Sequence, residues 1–99
     1  MNAVIFDLQD GFDDDEVIIK IDGRQVFHKN RVKTDLRLGL ADTFTAPTAG
    51  GTSTVEVAVP ARSLSETFPL DSADSPHVGI AVCNNRLEVR PSRVAFGYA

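Results

Sequence analysis

The sequence predicts an all-β protein: an antiparallel β-sandwich of seven or eight short strands with an immunoglobulin-like or related topology. Three observations carry that prediction. Apolar side chains fall on every second residue in five separate stretches, which is the pattern of strands with one buried face. Two residue pairs suited to tight hairpins, Asp22-Gly23 and Asn84-Asn85, each lie between two such runs. Finally, no stretch of ten or more residues carries the apolar stripe and caps of a helix. A chain of 99 residues has room for one core, so residues 1–99 are read as a single domain.

The first run, AVIFDL, puts Val4, Phe6 and Leu8 on one face. An acidic connection, LQDGFDDDE, follows, and then EVIIKID, with Val17, Ile19 and Ile21 in phase. Pairing outward from Asp22-Gly23 sets Ile19 opposite Val26, Ile18 opposite Phe27, Val17 opposite His28 and Glu16 opposite Lys29. The next alternating run is DLRLGLA, with Leu36, Leu38 and Leu40. TAPTAGGTST, residues 45–54, has the small-residue composition of a flexible loop. TVEVAVP then aligns Val55, Val57 and Val59, and LDSADSPH, residues 70–77, is a second loop. HVGIAVC carries Val78, Ile80 and Val82, and the Asn84-Asn85 turn sets Val82 opposite Leu87 and Ile80 opposite Val89. Pro60, Pro69 and Pro91 fall at the ends of apolar runs, where proline is tolerated. The terminal VAFGYA, with Val94, Phe96 and Tyr98 in phase, reads as a last strand.

A net charge of -4 argues against a duplex-binding protein, which needs a basic face to displace counterions from phosphates. No apolar run is long enough to span a bilayer as a helix. The single cysteine, Cys83, excludes an internal disulfide, and the first residues lack the basic and apolar regions of a signal peptide. The resulting expectation is a cytoplasmic protein with neither nucleic acid nor membrane as partner.

Charge is unevenly spread. Six acids occupy residues 7–16, and Lys20, Arg24, Lys29, Arg31, Lys33 and Arg37 follow against only Asp22 and Asp35. Such neighbours can pair across adjacent strands, or the basic segment can form a patch for an acidic partner, with Arg24, Arg31, Lys33 and Arg37 as its residues. In the acidic connection, Asp10, Asp13, Asp14 and Asp15 offer the hard oxygen ligands that calcium prefers. Their spacing is not that of an EF-hand, because counting back from Gly11 puts Phe6 and Leu8 at ligand positions. Phe12 is expected to fold onto the rim of the core. Cys83 and His77 lie six residues apart on one strand, roughly 20 Å at about 3.3 Å per residue, too far to share a proton. Cys83 is therefore read as a half-buried thiol near a hairpin end and His28 as a rim histidine.

With no nucleophile elbow, phosphate-cradling glycine loop or paired zinc ligands, the expectation is a non-catalytic module that binds another protein through a charged face and an edge strand. The alternative is a calcium-dependent carbohydrate-binding module built on the acidic loop. An aromatic sugar platform is poorly supplied, since the chain has no Trp and one Tyr.

Overall fold

Four stretches of this chain alternate so regularly that each must bury one face, and those four become the inner strands of two sheets. In a computed structural model, which describes residues 2–98, β1 (Asn2–Leu8), β2 (Asp15–Ile21), β5 (Thr52–Val59) and β7 (His77–Cys83) send Val4, Phe6, Leu8, Val17, Ile19, Ile21, the three valines of β5, Val78, Ile80 and Val82 into a common core. The outer strands are β3 (Arg24–Val32), β4 (Asp42–Thr48), β6 (Leu64–Asp71) and β8 (Arg86–Ser92). One sheet runs β4-β1-β7-β8 and the other β3-β2-β5-β6. The fold is the all-β sandwich that the alternation predicts. Its neighbouring strands are antiparallel except for β1 and β7, which run parallel. A 3₁₀ turn, Pro60–Arg62, carries the chain from β5 to β6.

Both predicted hairpins form. Asp22 and Gly23 have φ of 51° and 80°, and Asn84 and Asn85 have φ of 52° and 58°, as a two-residue turn with both centres left-handed requires. The second hairpin keeps the expected register, with Val82 opposite Leu87 and Ile80 opposite Val89. The first does not. Ile21 faces Arg24 and Lys20 faces Gln25, but Val26 is then passed over, so that Ile19 meets Phe27, Ile18 meets His28 and Val17 meets Lys29. A second irregularity before Val32 coincides with Arg31 at φ 57°. A bulge of this kind moves every later pairing by one residue. Glu16 consequently bonds His28 at 2.7 Å, while Lys29 reaches across to Asp42 on β4 at 2.8 Å.

The strand count agrees with expectation although two of its members differ. DLRLGLA is a turn closed by a bridge between Asp35 and Leu40. Asp35 Oδ1 accepts from the Arg37 amide, the Asp35 carbonyl accepts from Leu38 and Gly39, and Gly39 adopts φ 72°. Those local bonds outcompete a sheet ladder. VAFGYA also forms no strand: residues 93–98 run irregularly after β8. Their places are taken by β4, which claims residues 45–48 of the supposed loop 45–54 while β5 claims 52–54, and by β6, in which no alternating apolar run is legible. Of the 70–77 loop, only 72–76 lies outside strands.

One side of the sandwich is sealed by aromatic stacking, Phe6 on Phe44 with centroids 5.0 Å apart and Phe44 on Phe27 at 4.1 Å, which bridges β1, β4 and β3. On the outward face of the β1 sheet, Asp7 and Gln9 alternate with the core residues Phe6 and Leu8, and Gly79 lies beside Asp7. The terminal segment returns to this face. The Tyr98 hydroxyl donates to Asp7 Oδ2 at 2.6 Å and accepts from Gln9 Nε2 at 3.1 Å, while Thr43 Oγ1 donates to Asp7 Oδ1 at 2.7 Å.

Burial, and after it the hydrogen bond to Asp7, pushes the Tyr98 phenol from its ordinary value of 10.0 up to about 12. The folded chain thus holds that proton more tightly than the unfolded chain does. Stabilisation from the contact is complete below the unfolded value and is lost as the pH rises through the folded one. Tyr98 is the one tyrosine in a chain without tryptophan. Ultraviolet titration of phenolate should accordingly give a midpoint near 12 for the native protein and near 10 in denaturant; coincident midpoints would mean that the hydroxyl is not held by Asp7.

Candidate functional site

The connections β1–β2 and β3–β4 meet at one end of the sandwich, and a threonine ties them together. Thr34 Oγ1 donates to the Gln9 carbonyl at 2.6 Å and accepts from the Phe12 amide at 3.1 Å, and the Thr34 amide donates to the Phe12 carbonyl at 3.0 Å. Thr34 is buried, so these bonds are shielded from competition by water.

The acidic loop is pinned from three sides. Gly11, at φ 90°, packs so close to β7 that an added Cβ would lie 1.9 Å from the Val82 carbonyl oxygen; only glycine fits. Phe12 is buried in the core, as expected for a rim aromatic. Asp15 is buried as well, and both its oxygens are taken by Arg62 from the 3₁₀ turn: Nε to Oδ1 at 2.8 Å and Nη2 to Oδ2 at 2.8 Å. The Asp13 amide adds a bond to Asp15 Oδ2 at 2.8 Å, and Arg62 Nη2 also reaches the Gly11 carbonyl at 3.1 Å. Its bond to Asp15 raises the Arg62 pKa above its ordinary value.

This geometry separates the four predicted calcium ligands. Asp10, Asp13 and Asp14 are exposed, whereas Asp15 is turned inward to Arg62. Among the described residues, no group of three or more His, Cys, Asp or Glu side chains is arranged to hold a metal ion. The loop is therefore braced by Arg62, Thr34 and Gly11 rather than loosely solvated.

The predicted basic patch is split. Arg24 opens β3 beside the Asp22-Gly23 turn, and Arg31 lies near the far end of that strand, about 20 Å away at ~3.3 Å per residue. Arg31, Lys33 and Arg37 remain together around the 33–41 turn and are exposed. Arg37 bonds Asp35 and holds that carboxyl below the usual range. Arg31 and Lys33 have no carboxylate within 4.0 Å among the described residues. At the tip stands Leu36, 91% exposed, with Leu38 at 42%. Leu36 borders a cleft of about 360 Å³ whose other walls are Gly11, Phe12, Asp13, Lys33 and Thr34.

Arg62 was not singled out by sequence reasoning, and Tyr98 was read only as part of a last strand. A signal for Arg62 does exist: no other Lys or Arg occurs between Arg37 and Arg86. Cys83 is exposed rather than half-buried, and it faces a groove of about 910 Å³ between the edge strands β6 and β8 with Ser65, Glu66 and Arg86. His77 and Cys83 occupy opposite ends of β7.

Replacing Arg62 with Met would leave the Asp15 carboxylate buried without a counter-charge, and should destabilise the fold by about 3 kcal/mol in denaturant melts; a loss under roughly 1 kcal/mol would mean that the pair is solvated. With Asp15 engaged, millimolar calcium should leave the melting temperature where a chelator leaves it. A rise abolished by the double change Asp13→Asn and Asp14→Asn would show that the loop rearranges around an ion.

Comparison with known proteins finds no match to this chain, whether to a protein-family model, to a curated protein or to a solved structure.

Proposed function

We propose that this chain is a non-catalytic module that binds another protein through the turn at residues 33–41, with Leu36 as the anchor and Arg31, Lys33 and Arg37 as the orienting charges. The supporting observation is Leu36 itself. A leucine 91% exposed on a mobile loop would be unremarked, but this one is carried on a turn fixed by Asp35, Gly39 and the Thr34 clasp. Such an anchor is ordered before it binds, so little conformational freedom is lost on docking. The scaffold, on this reading, is an immunoglobulin-like or related sandwich that presents recognition loops at one end.

Edge-strand pairing is left out of the mechanism. β4, β6 and β8 contain Pro47, Pro69 and Pro91, and β3 is interrupted twice, so each of the four edges carries a feature that opposes strand addition. An anionic bilayer is also a poor fit to this end of the molecule. Asp10, Asp13 and Asp14 are exposed on the neighbouring loop and would be repelled by the headgroups that attract Arg31 and Lys33. A protein surface can match both signs at once.

Leu36→Asp and Lys33→Glu should each weaken capture of the partner by about tenfold or more, as expected for an anchor and its flanking charge, at unchanged melting temperature. Arg24→Glu, at the far end of β3, should leave capture intact. Affinity capture with quantitative mass spectrometry, using the four forms as bait, reads this directly. Identical captured sets for the wild type and Leu36→Asp would remove the turn from the account.

A further inference from the structure

The outward face of the β1 sheet carries polar groups that a solvent-facing surface would leave wet. Asp7 and Gln9 are 8% and 6% exposed, and Gly79 and Ala81, which point outward from β7, are buried although Ala81 is not part of the core. Thr43, Asp7, Gly79 and Arg90 stand side by side across the four strands at one level. The missing side chain at Gly79 is what lets the Gln9 carboxamide lie down: an added Cβ there would be 2.6 Å from Gln9 Oε1. That oxygen has no donor among the described residues. The site is thus built, buried and not saturated.

We infer that this face is a recognition site for a short peptide segment bearing a tyrosine, and that residues 93–98 of the chain occupy it in cis as an intramolecular stand-in that a partner's segment displaces. The chemistry selects a hydroxyl, and the one that reaches the site from residues 93–98 is a tyrosine's. Asp7 calls for a donor and Gln9 Nε2 calls for an acceptor, and one phenol hydroxyl answers both at 2.6 and 3.1 Å. A lysine or arginine could donate to Asp7 but would offer Gln9 Nε2 nothing, and phenylalanine would strand both groups.

The manner of attachment makes displacement feasible. Among the described residues, no backbone hydrogen bond joins 93–98 to either sheet. The segment is held by Tyr98 at its far end and by an exposed ion pair between Arg93 and Asp74 at its near end, with Phe96 half-buried between them and Val94 70% exposed. A strap fastened by Tyr98, by the Arg93–Asp74 pair and locally by the Ser92 hydroxyl to the Val94 backbone can open without disturbing the core, in which no described residue beyond Val89 takes part. Its covalent connection gives it an effective concentration in the millimolar range, and a competitor must exceed that unless the strap is loosened.

The test uses the full chain, labelled with ¹⁵N, and an acetylated peptide copying residues 92–98, SRVAFGY, at millimolar concentration. Two variants loosen the strap: Tyr98→Phe, which removes the hydroxyl, and Arg93→Glu, which sets like charges at the exposed fastening. The amides of Asp7, Gln9, Gly79 and Ala81 should shift with peptide in both variants, with a Kd about tenfold or more below that of the wild type for Tyr98→Phe and about twofold or more below it for Arg93→Glu. SRVAFGF should bind at least about fivefold more weakly, having lost the shared hydroxyl. No shift at those amides in either variant, binding as tight in the wild type as in both variants, or equal binding of the two peptides would each overturn the inference. Should Tyr98→Phe fail to fold, Arg93→Glu decides alone, because its exposed ion pair contributes little to stability.

Discussion

The burial of three inward-facing side chains from each of four inner strands is the constraint on which the rest of this structure depends. β1 and β7 in one sheet, and β2 and β5 in the other, supply them, and nearly all are short or β-branched aliphatics that pack on a pleated surface without leaving gaps. Once those rows face one another, the two sheets cannot slip by a residue without turning an entire row to water. The ends of the inner strands are then fixed points. The acidic loop must span from Leu8 to Asp15, and the 33–41 turn must return from Val32 to Asp42; these two crossings meet because β1 pairs with β4 while β2 pairs with β3.

The same distinction explains what the sequence could disclose. Each inner strand has a neighbour on both sides and a fully buried face, so its pattern is unbroken and its residues are legible: Val4, Phe6 and Leu8, for example, are the ones found in the core. Edge strands obey other rules. They must remain unattractive to stray strands, and proline, bulges and polar residues serve that end while erasing the pattern by which a strand is read. β4, DTFTAPT, looks like a loop because of Pro47, and β6, LSETFPLD, offers almost no alternation. Conversely, LRLGL alternates convincingly and is a turn, because Asp35 can bond the amides that follow it and Gly39 can take the left-handed conformation. Periodicity reports burial, and where no burial is at stake a local hydrogen bond decides the structure.

The acidic loop shows a second limit. Composition placed five carboxylates within residues 10–16 and could not say which of them turns inward. The answer depended on Arg62, 47 residues further along, whose guanidinium arrives only after β5 has paired with β2. A desolvated carboxylate held by a two-point guanidinium contact is a different object from its exposed neighbours, although their letters are identical. Tyr98 and Asp7 make the same point across almost the whole chain. No spacing rule connects residues 91 positions apart, and only the tertiary path of the tail brings donor to acceptor.

As proposed, two surfaces of this molecule meet their partners in opposite ways. The 33–41 turn is closed by its own hydrogen bonds and its apolar tip is uncovered, which favours a partner that brings a pocket to the anchor. The outward face of the β1 sheet is itself fixed, yet it is covered by a strap whose fastenings are side chains alone, which favours a partner that brings a segment to a fixed pocket. Both depend on the same clasp. Thr34 bonds the carbonyl of Gln9, whose carboxamide lies on Gly79 and meets Tyr98, so the residue that braces the turn also sets the backbone from which the tyrosine's partner projects. The bonds from Thr34 to Gln9 and from Gln9 to Tyr98 join the turn to the strap in one continuous chain of residues.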